Sequence, residues 1–302
     1  MADSTPQLGF DGKVAIITGA GGGLGKQHAL MLASRGALVV VNDLGGAVDG
    51  SGSDAGAAQL VVDEITAAGG EAVADTNSVA TPDGGEAIVQ AAVDAFGRVD
   101  IVVNNAGILR DKAFHNMTPD LLDPVLDVHL KGAFNVTRPA WIRMREQGYG
   151  RIVSTSSAAG IFGNFGQTNY GAAKMALVGF TRVLAVEGAK YDIKANAIAP
   201  LALTRMTEDI MGGGLRDQLD PGRVSPLVTY LAHESCEPSG RVFSVGGGRV
   251  AEVFIGETTG YFSSDLTADD LAANWATVTD QDGYAVPGNL GEETALFLPF
   301  FR

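Results

Sequence analysis

The sequence contains little cysteine, little positive charge and no long apolar run. Its one cysteine, Cys236, excludes a disulfide within the chain, and we interpret it as a small buried structural residue. The formal net charge of −14 argues against nucleic acid or an anionic membrane as a main partner. No apolar stretch reaches the length of a membrane span, and the first residues lack a secretory signal, so we expect a cytoplasmic protein.

Glycine is abundant, at 41 of 302 residues, and short apolar segments alternate with segments of helical periodicity. This alternation is typical of an open parallel β-sheet with helices on both faces. We therefore predict an α/β protein with a single domain over residues 1–302. Its core, residues 8–248, is predicted to be a Rossmann-type doubly wound parallel sheet of about seven strands. The predicted strands are 13–18, 37–42, 71–75, 99–103, 151–155, 192–197 and 240–245, and long helices are predicted over 118–141 and 169–187.

A C-terminal extension is predicted over residues 249–302, with elements of its own. Residues 249–262 resemble a hairpin-like strand pair around Gly256. A helix over 267–277 is capped by Thr267, with Asp269 and Asp270 in its first turn. The Leu- and Phe-rich end is interpreted either as core packing or as a contact between subunits.

The first predicted strand runs into a glycine-rich turn, GAGGGLG at 19–25, which opens a helix. Glycine allows close approach of a phosphate, and a helix N-terminus offers free N–H groups to a pyrophosphate. Asp43 follows the second strand about 20 residues beyond the turn, where a carboxylate can hold the adenosine ribose hydroxyls. The same carboxylate repels a 2′-phosphate, so the sequence predicts NAD rather than NADP. The glycine-rich residues 45–56 are interpreted as a flexible insert.

Three further residues form a predicted chemical unit. Ser157 lies at the carboxyl end of the fifth predicted strand, where open α/β sheets place their ligands. Tyr170 and Lys174 are four positions apart and share one face of a helix. The Lys ammonium is expected to lower the pKa of the phenol, and the Ser hydroxyl can hold a substrate oxygen while Tyr170 moves its proton. Ser157, Tyr170 and Lys174 are therefore candidate catalytic residues, with Ser157 and Tyr170 contacting the substrate.

The Ser–Tyr–Lys spacing, the glycine-rich turn and the sequence NNAG at 104–107 resemble the short-chain dehydrogenases/reductases. Longer stretches, such as VVNNAGILRD (102–111) and SAAGIFGNFGQTNY (157–170), are similar to one branch of that family. This branch is the (3R)-3-hydroxyacyl-CoA dehydrogenase part of peroxisomal multifunctional enzyme type 2, also called 17β-hydroxysteroid dehydrogenase type 4. Two positions depart from the common family pattern, because His129 stands in place of an Asn and Leu201 in place of a Gly.

The resemblance implies NAD-dependent oxidation of a (3R)-3-hydroxyacyl-CoA to the 3-oxoacyl-CoA. Tyr170 would be the general base, and Lys174 would also bind the nicotinamide ribose. His129 is a catalytic candidate that would hold a water molecule near Lys174, or else a core residue. The implied cofactor-binding residues are Gly19, Gly21, Gly22, Gly23, Leu24, Gly25, Asp43, Asn77, Ser78, Val79, Asn105, Ala106, Gly107, Tyr170, Lys174, Pro200, Leu201, Ala202, Leu203 and Thr204.

Residues 204–219 are predicted to be a mobile substrate lid. Arg110, Lys112, Lys131 and Arg205 are candidate contacts for an anionic CoA, although a solvent-exposed role is the alternative for each. No metal is predicted, and a homodimer or homotetramer is expected.

Competing functions remain open at this point. A 17β-hydroxysteroid dehydrogenase would use the same chemistry on a bulkier substrate, and a 3-oxoacyl reductase would run the reaction in the opposite direction. Asp43 argues against the NADPH-dependent form of such a reductase. A scaffolding module without catalysis is disfavoured, because Ser157, Tyr170 and Lys174 are all present.

Overall fold

The computed structural model describes residues 7–204 and 218–300. Arg205 therefore lies outside the described residues, and so does most of the predicted lid. The chain divides into two compact units, Met1–Glu252 and Val253–Arg302. The prediction of one domain over the whole chain stays a prediction.

The first unit is built on an eight-stranded sheet with the order β3-β2-β1-β4-β5-β6-β7-β8. Strands β1 to β7 pair in parallel. Strand β8 follows β7 after the two-residue turn at Gly247 and Gly248, so it runs antiparallel. The strands are β1 Val14–Thr18, β2 Leu38–Asn42, β3 Glu71–Asp75, β4 Ile101–Asn104, β5 Gly150–Thr155, β6 Ile193–Pro200, β7 Val242–Gly246 and β8 Arg249–Val253.

Helices cover both faces of the sheet because its strands are apolar on both sides. In β1, Ala15 and Ile17 pack into one core cluster, while Val14 and Ile16 pack into the other. Helices α1, α2 and α8 complete the first cluster, and α3 and α5 complete the second. These features confirm the predicted fold class. The helices of the first unit are α1 Gly23–Ala33, α2 Gly56–Ala67, α3 Pro82–Phe96, α4 Pro119–Leu126, α5 Gly132–Gln147, α6 Ala158–Phe162, α7 Thr168–Gly188 and α8 Ser225–Ala232.

The helix predicted over 118–141 is interrupted. Helix α4 ends at Leu126, a π-helical turn spans Asp127–Lys131, and α5 then continues to Gln147. In the π-helical turn the carbonyl of Asp127 accepts from the N–H of Gly132, five residues on, so one extra residue enters the turn. Periodicity in the sequence does not reveal such an insertion.

The strand pair predicted around Gly256 is wrong for the described residues. Strand β8 begins where that pair was expected, but it extends the main sheet beside β7. Beyond it, Glu257 and Ala285 form an isolated antiparallel bridge. The second unit contains α9 Ala268–Ala273, α10 Trp275–Val278 and α11 Leu290–Ala295. Helix α9 is capped by Thr267 as predicted, since Oγ1 accepts from the N–H of Asp270 (3.1 Å). The single helix predicted over 267–277 is wrong, however, because α9 ends at Ala273 and α10 begins at Trp275.

A buried arginine fixes the amino end of β5. Arg151 is almost fully buried and donates to the carbonyls of Gly150 (2.9 Å) and Asp192 (2.7 Å). It also donates to the carbonyls of His233 and Glu234, each at 3.2 Å. These bonds supply the partners that a buried guanidinium requires. They join β5 to the start of β6 and to the segment after α8.

Candidate active site

The carboxyl ends of β1, β2, β4, β5 and β6 meet at one cleft. This is where strand order reverses between β1 and β4, which is the usual ligand position in an open α/β sheet. Most of the predicted site residues line it together. They are Gly19, Gly22, Gly23, Leu24, Asp43, Asn77, Ser78, Val79, Asn105, Ala106, Gly107, His129, Ser157, Tyr170, Lys174, Pro200, Ala202 and Thr204.

Four predicted cofactor residues lie beside the cleft rather than in its lining. Gly25 packs α1 against the turn, because a Cβ there would collide with the carbonyl of Gly19. The N–H of Gly21 donates to Oδ2 of Asp43 (2.7 Å). Leu201 is 49% exposed, and the N–H of Leu203 donates to the carbonyl of Leu219 (2.7 Å). Each of these residues is a chain neighbour of a lining residue, and a motif match does not distinguish such a neighbour from a residue that contacts the ligand.

The glycine-rich turn and the NNAG segment are tied together. Thr18 Oγ1 accepts from the N–H groups of Asn105 (3.0 Å) and Ala106 (3.1 Å). Asn105 Nδ2 in turn donates to the carbonyls of Thr18 (3.0 Å) and Gly19 (3.1 Å). Gly19 has a positive φ of 65°, and a Cβ would lie 2.8 Å from the Cα of Ala106. Only glycine allows this close junction.

The residues at this end of the cleft fit a dinucleotide. No described side chain caps the N-terminus of α1, and Gly22, Gly23 and Leu24 line the cleft there, so free N–H groups can receive a pyrophosphate. Asp43 accepts from the N–H of Gly21 and, through Oδ1, from that of Gly45 (2.6 Å). A carboxylate has about four acceptor positions, so these bonds orient Asp43 and leave capacity for ribose hydroxyls.

Ser157 and Tyr170 face each other at the other end of the cleft. Ser157 is the N-cap of α6, and its Oγ accepts from the N–H of Ala159 (3.1 Å). Burial raises the pKa of Tyr170, while a hydrogen bond from Ser157 acts to lower it and the charge of Asp111 acts to raise it. The hydroxyl hydrogen of Ser157 can therefore be donated either to Tyr170 or to a substrate oxygen.

The prediction that Lys174 lowers the pKa of Tyr170 is wrong, because burial raises that pKa. Its Nζ lies 5.5 Å from the centre of the Tyr170 ring and donates to the carbonyl of Thr155 (2.5 Å). Complete burial lowers the pKa of Lys174 to about 7. The lysine has therefore lost most of its charge before the pH at which Tyr170 titrates.

His129 is buried between Tyr170 and the NNAG segment. Its ring meets the Tyr170 ring edge-on, with centroids 5.2 Å apart, and Nε2 lies 3.0 Å from the nitrogen and 2.8 Å from the oxygen of Ile108. A Cβ on Gly107 would collide with the His129 ring. Burial, followed by the charge of Lys174, holds the pKa of His129 well below its usual value. Its Nδ1 has no hydrogen-bond partner among the described residues.

Two of the predicted CoA-contacting cations are engaged elsewhere. Arg110 donates to the carbonyls of Asp49 (2.8 Å) and Asp120 (2.7 Å). Lys131 pairs with Asp127 at 2.6 Å, one helical turn earlier. Lys112 is exposed, and within the described part of the chain its side chain makes no hydrogen bond or ion pair. Lys112 is thus the available candidate of the three.

Some residues of the cleft lining were not predicted from the sequence. The residues predicted to be a flexible insert include Gly46, Ala47, Val48 and Gly50, all of which line the cleft. The available signal was the position of this insert directly after Asp43. Other lining residues that were not predicted are Asn42, Leu44, Ile108, Val128, Thr155 and Ser156.

Comparison with known proteins agrees with this arrangement. Residues 13–211 match the family described as short chain dehydrogenase. A short-chain type dehydrogenase/reductase of Mycobacterium tuberculosis is 52% identical over 281 residues, which are 93% of this chain and 98% of that protein. The chain therefore belongs to the short-chain dehydrogenase family. It is an oxidoreductase of the type that acts on hydroxyl groups, with a nicotinamide dinucleotide as its class of cofactor.

Two other relatives have names that are more specific than that of the family. Peroxisomal multifunctional enzyme A of Dictyostelium discoideum is 50% identical over 95% of this chain and 65% of its own length. The hydroxyacyl-CoA dehydrogenase ChsB1 of M. tuberculosis is 40% identical over 92% of this chain and 90% of its own. The chain thus spans about two thirds of the Dictyostelium protein.

Two solved structures are also similar to this chain. Full-length peroxisomal multifunctional enzyme type 2 of Drosophila melanogaster matches with a TM-score of 0.82 and 38% identity, over 97% of this chain and 50% of that one. A 7α-hydroxysteroid dehydrogenase complexed with NADH and 7-oxo glycochenodeoxycholic acid matches with a TM-score of 0.72 and 30% identity, over 80% and 95% of the two chains.

Within residues 7–204 and 218–300, none of the helices is both long and apolar enough to cross a membrane. Over the same residues, no three His, Cys, Asp or Glu side chains are grouped so that they would hold a metal ion.

Proposed function

We propose that this chain oxidises a (3R)-3-hydroxyacyl-CoA to the 3-oxoacyl-CoA with NAD as the acceptor. The observation that carries the proposal is one cleft with Ser157, Tyr170 and Lys174 at one end and Asp43 at the other. The similarity to a protein named hydroxyacyl-CoA dehydrogenase over nine-tenths of its length supports the substrate class. The proposal includes our predictions of a homodimer or homotetramer that works in the cytoplasm.

The chain's own residues perform the proton chemistry in this proposal. Tyr170 Oη, in its ionised phenolate form, removes the proton of the 3-hydroxyl group and becomes the neutral phenol, while Ser157 donates its hydroxyl hydrogen to the same substrate oxygen. Lys174, whose Nζ lies 5.5 Å from the centre of the Tyr170 ring, would hold the nicotinamide ribose, as the resemblance implies. When bound, the dinucleotide supplies the hydride acceptor. His129 keeps the Tyr170 ring in place by edge-on packing.

Asp43 is the basis for choosing NAD. Its carboxylate is oriented by the N–H groups of Gly21 and Gly45 toward the end of the cleft where the ribose would lie. A 2′-phosphate at that position would bring two negative charges close together, and Leu44, Gly45 and Gly46 provide no positive charge to offset them.

The decisive experiment compares kcat/KM for a matrix of substrates and cofactors. The substrates are (3R)- and (3S)-3-hydroxyacyl-CoA of several chain lengths and a 17β-hydroxysteroid, each with NAD and NADP. We expect the highest value for a (3R)-hydroxyacyl-CoA with NAD. In Tyr170→Phe, kcat should fall by about 10²–10⁴, the usual contribution of general acid–base catalysis.

Other results would redirect the proposal. Higher kcat/KM for the steroid would support a hydroxysteroid dehydrogenase, the activity named for one of the structural neighbours. Faster reduction of 3-oxoacyl-CoA with NADPH would favour a reductase. Full activity of Tyr170→Phe would refute the assignment of the base.

A further inference from the structure

Residues 44–54, here called the strap, form a closed loop at the end of β2. The N–H of Asp54 donates to the carbonyl of Leu44 (3.1 Å), which brings the two ends of the strap together. Inside the strap, the N–H of Ala47 donates to the carbonyl of Ser51 (2.8 Å). Asp49 Oδ1 accepts from the N–H of Ser51 (2.9 Å). The strap is therefore a compact loop whose shape is set by its own hydrogen bonds.

The strap forms part of the wall of the dinucleotide end of the cleft. Asp43, the proposed ribose contact, immediately precedes it. Five of its residues line the cleft, namely Leu44, Gly46, Ala47, Val48 and Gly50. A ligand held by Asp43 and by the N-terminus of α1 would lie directly against these residues.

The tip of the strap is held across the cleft by few contacts. The N–H of Leu109 donates to the carbonyl of Val48 (2.9 Å), and Arg110 Nε donates to the carbonyl of Asp49 (2.8 Å). Among the described residues, these are the two hydrogen bonds that join the tip to residues 108–110. Gly50 lies against Ile108, because a Cβ there would be 3.1 Å from the Ile108 Cδ1.

Arg110 is braced on its other side. Its Nη1 donates to the carbonyl of Asp120 (2.7 Å) in α4. That carbonyl is available because Pro124, four residues on, has no N–H to donate to it. The carbonyl of Arg110 accepts from Asn169 Nδ2 (2.8 Å), next to Tyr170. Arg110 therefore links the strap to the two helices beside the substrate end.

We propose that Arg110 is a positioning residue that holds the strap closed, and that the strap must open for the dinucleotide to enter and to leave. This inference rests on the proposed dinucleotide site. Arg110 is not part of the cleft lining. It acts through the strap, by setting the fraction of molecules in which the strap is open.

Opening of this kind has a kinetic signature. A weaker bond to Asp49 raises the open fraction, so the rate constants for association and for dissociation rise by the same factor. Loss of one charge-assisted hydrogen bond at a partly exposed site predicts an increase of roughly three- to tenfold in both. The dissociation constant then changes much less than either rate.

The test measures NADH binding by stopped-flow fluorescence in the full-length protein. Arg110→Ala should raise both rate constants, and Arg110→Lys should raise them less because an ammonium can still donate to one carbonyl. The matched control is Arg143→Ala, since Arg143 is exposed on α5 and makes no hydrogen bond or ion pair with described residues. Hydrogen–deuterium exchange should increase over residues 44–54 in Arg110→Ala and stay unchanged over β1.

A second variant opens the strap from its own side. In Gly50→Ala the new Cβ would press on Ile108, and the φ of 84° disfavours any Cβ, so both rate constants should again rise. Unchanged rates in both variants would overturn the inference. So would a rise in dissociation alone, which would make the strap a fixed wall that contributes contacts. If NADH does not bind the unaltered protein, the proposed function fails and the inference fails with it.

Discussion

His28 should make the folded protein sensitive to mild acid. The ring is completely buried on α1, with Nδ1 2.8 Å from Ser225 Oγ on α8. Its Nε2 has no hydrogen-bond partner among the described residues. Burial lowers the pKa of His28 from 6.5 to about 3. The charged ring is thus disfavoured in the folded state and accepted in the unfolded chain.

The sign and size of the effect follow from proton linkage. Between pH 6.5 and about 3 the unfolded chain holds a proton on His28 that the folded protein does not. Above pH 6.5 the free energy of unfolding does not depend on the protonation of His28. Below that pH the free energy of unfolding falls by about 1.4 kcal/mol per pH unit. Over the whole interval the loss is on the order of 5 kcal/mol, which is comparable to the stability of many domains.

The perturbation that isolates this effect is His28→Asn. The Asn amide can replace Nδ1 as a partner of Ser225, and it does not titrate. Unfolding free energies from urea titrations between pH 5 and 8 should show a constant difference between the two proteins above pH 7. Below pH 6 the unaltered protein should lose about 1.4 kcal/mol per pH unit more than the variant.

The matched control is His115→Asn, which makes the same substitution at an exposed histidine. His129 is also buried with a lowered pKa, but it is present in both proteins and cancels in the comparison. Parallel curves for the unaltered protein and His28→Asn over the acid range would refute the reasoning.

Two further substitutions test the cleft. In Asp43→Asn the preference for NAD over NADP, measured as a ratio of kcat/KM values, should fall by up to about a hundredfold, because the repulsion of a 2′-phosphate is removed while the shape of the side chain is kept; an unchanged ratio would show that Asp43 does not discriminate. His129→Asn should retain more activity than His129→Leu, because leucine cannot hydrogen-bond Ile108. If His129→Leu had the same kcat and melting temperature as the unaltered protein, His129 would be a packing residue only.

The features that could be predicted are those whose residues lie close together in the sequence. The glycine-rich turn lies next to the strand that ends at Thr18, and Tyr170 and Lys174 share a helix face by periodicity alone. A parallel sheet then brings all strand ends to one edge. The positions of Ser157 and Asp43 in one cleft follow from that rule.

Other features depend on tertiary contacts that no local pattern encodes. Arg110 looked available for an anionic substrate, but its guanidinium is occupied by the carbonyls of Asp49 and Asp120. Lys174 was expected to be charged, yet complete burial brings its pKa to about 7. The bonds that join the strap to Leu109 and Arg110 span 61 positions in sequence, so no local pattern reveals that the strap lines the cleft.

Strand β5 is anchored at both of its ends, and this has a consequence for catalysis. Arg151 fixes one end to neighbouring backbone, while beyond the other end Ser156 donates through Oγ to the carbonyl of Lys174 (2.7 Å), and Lys174 donates back to Thr155. Ser157 follows directly, so its position is preorganised by folding rather than found anew in each turnover. In the proposed mechanism Ser157 would then have to move only its hydroxyl hydrogen, and such preorganisation is the condition under which oriented dipoles stabilise a transition state most strongly.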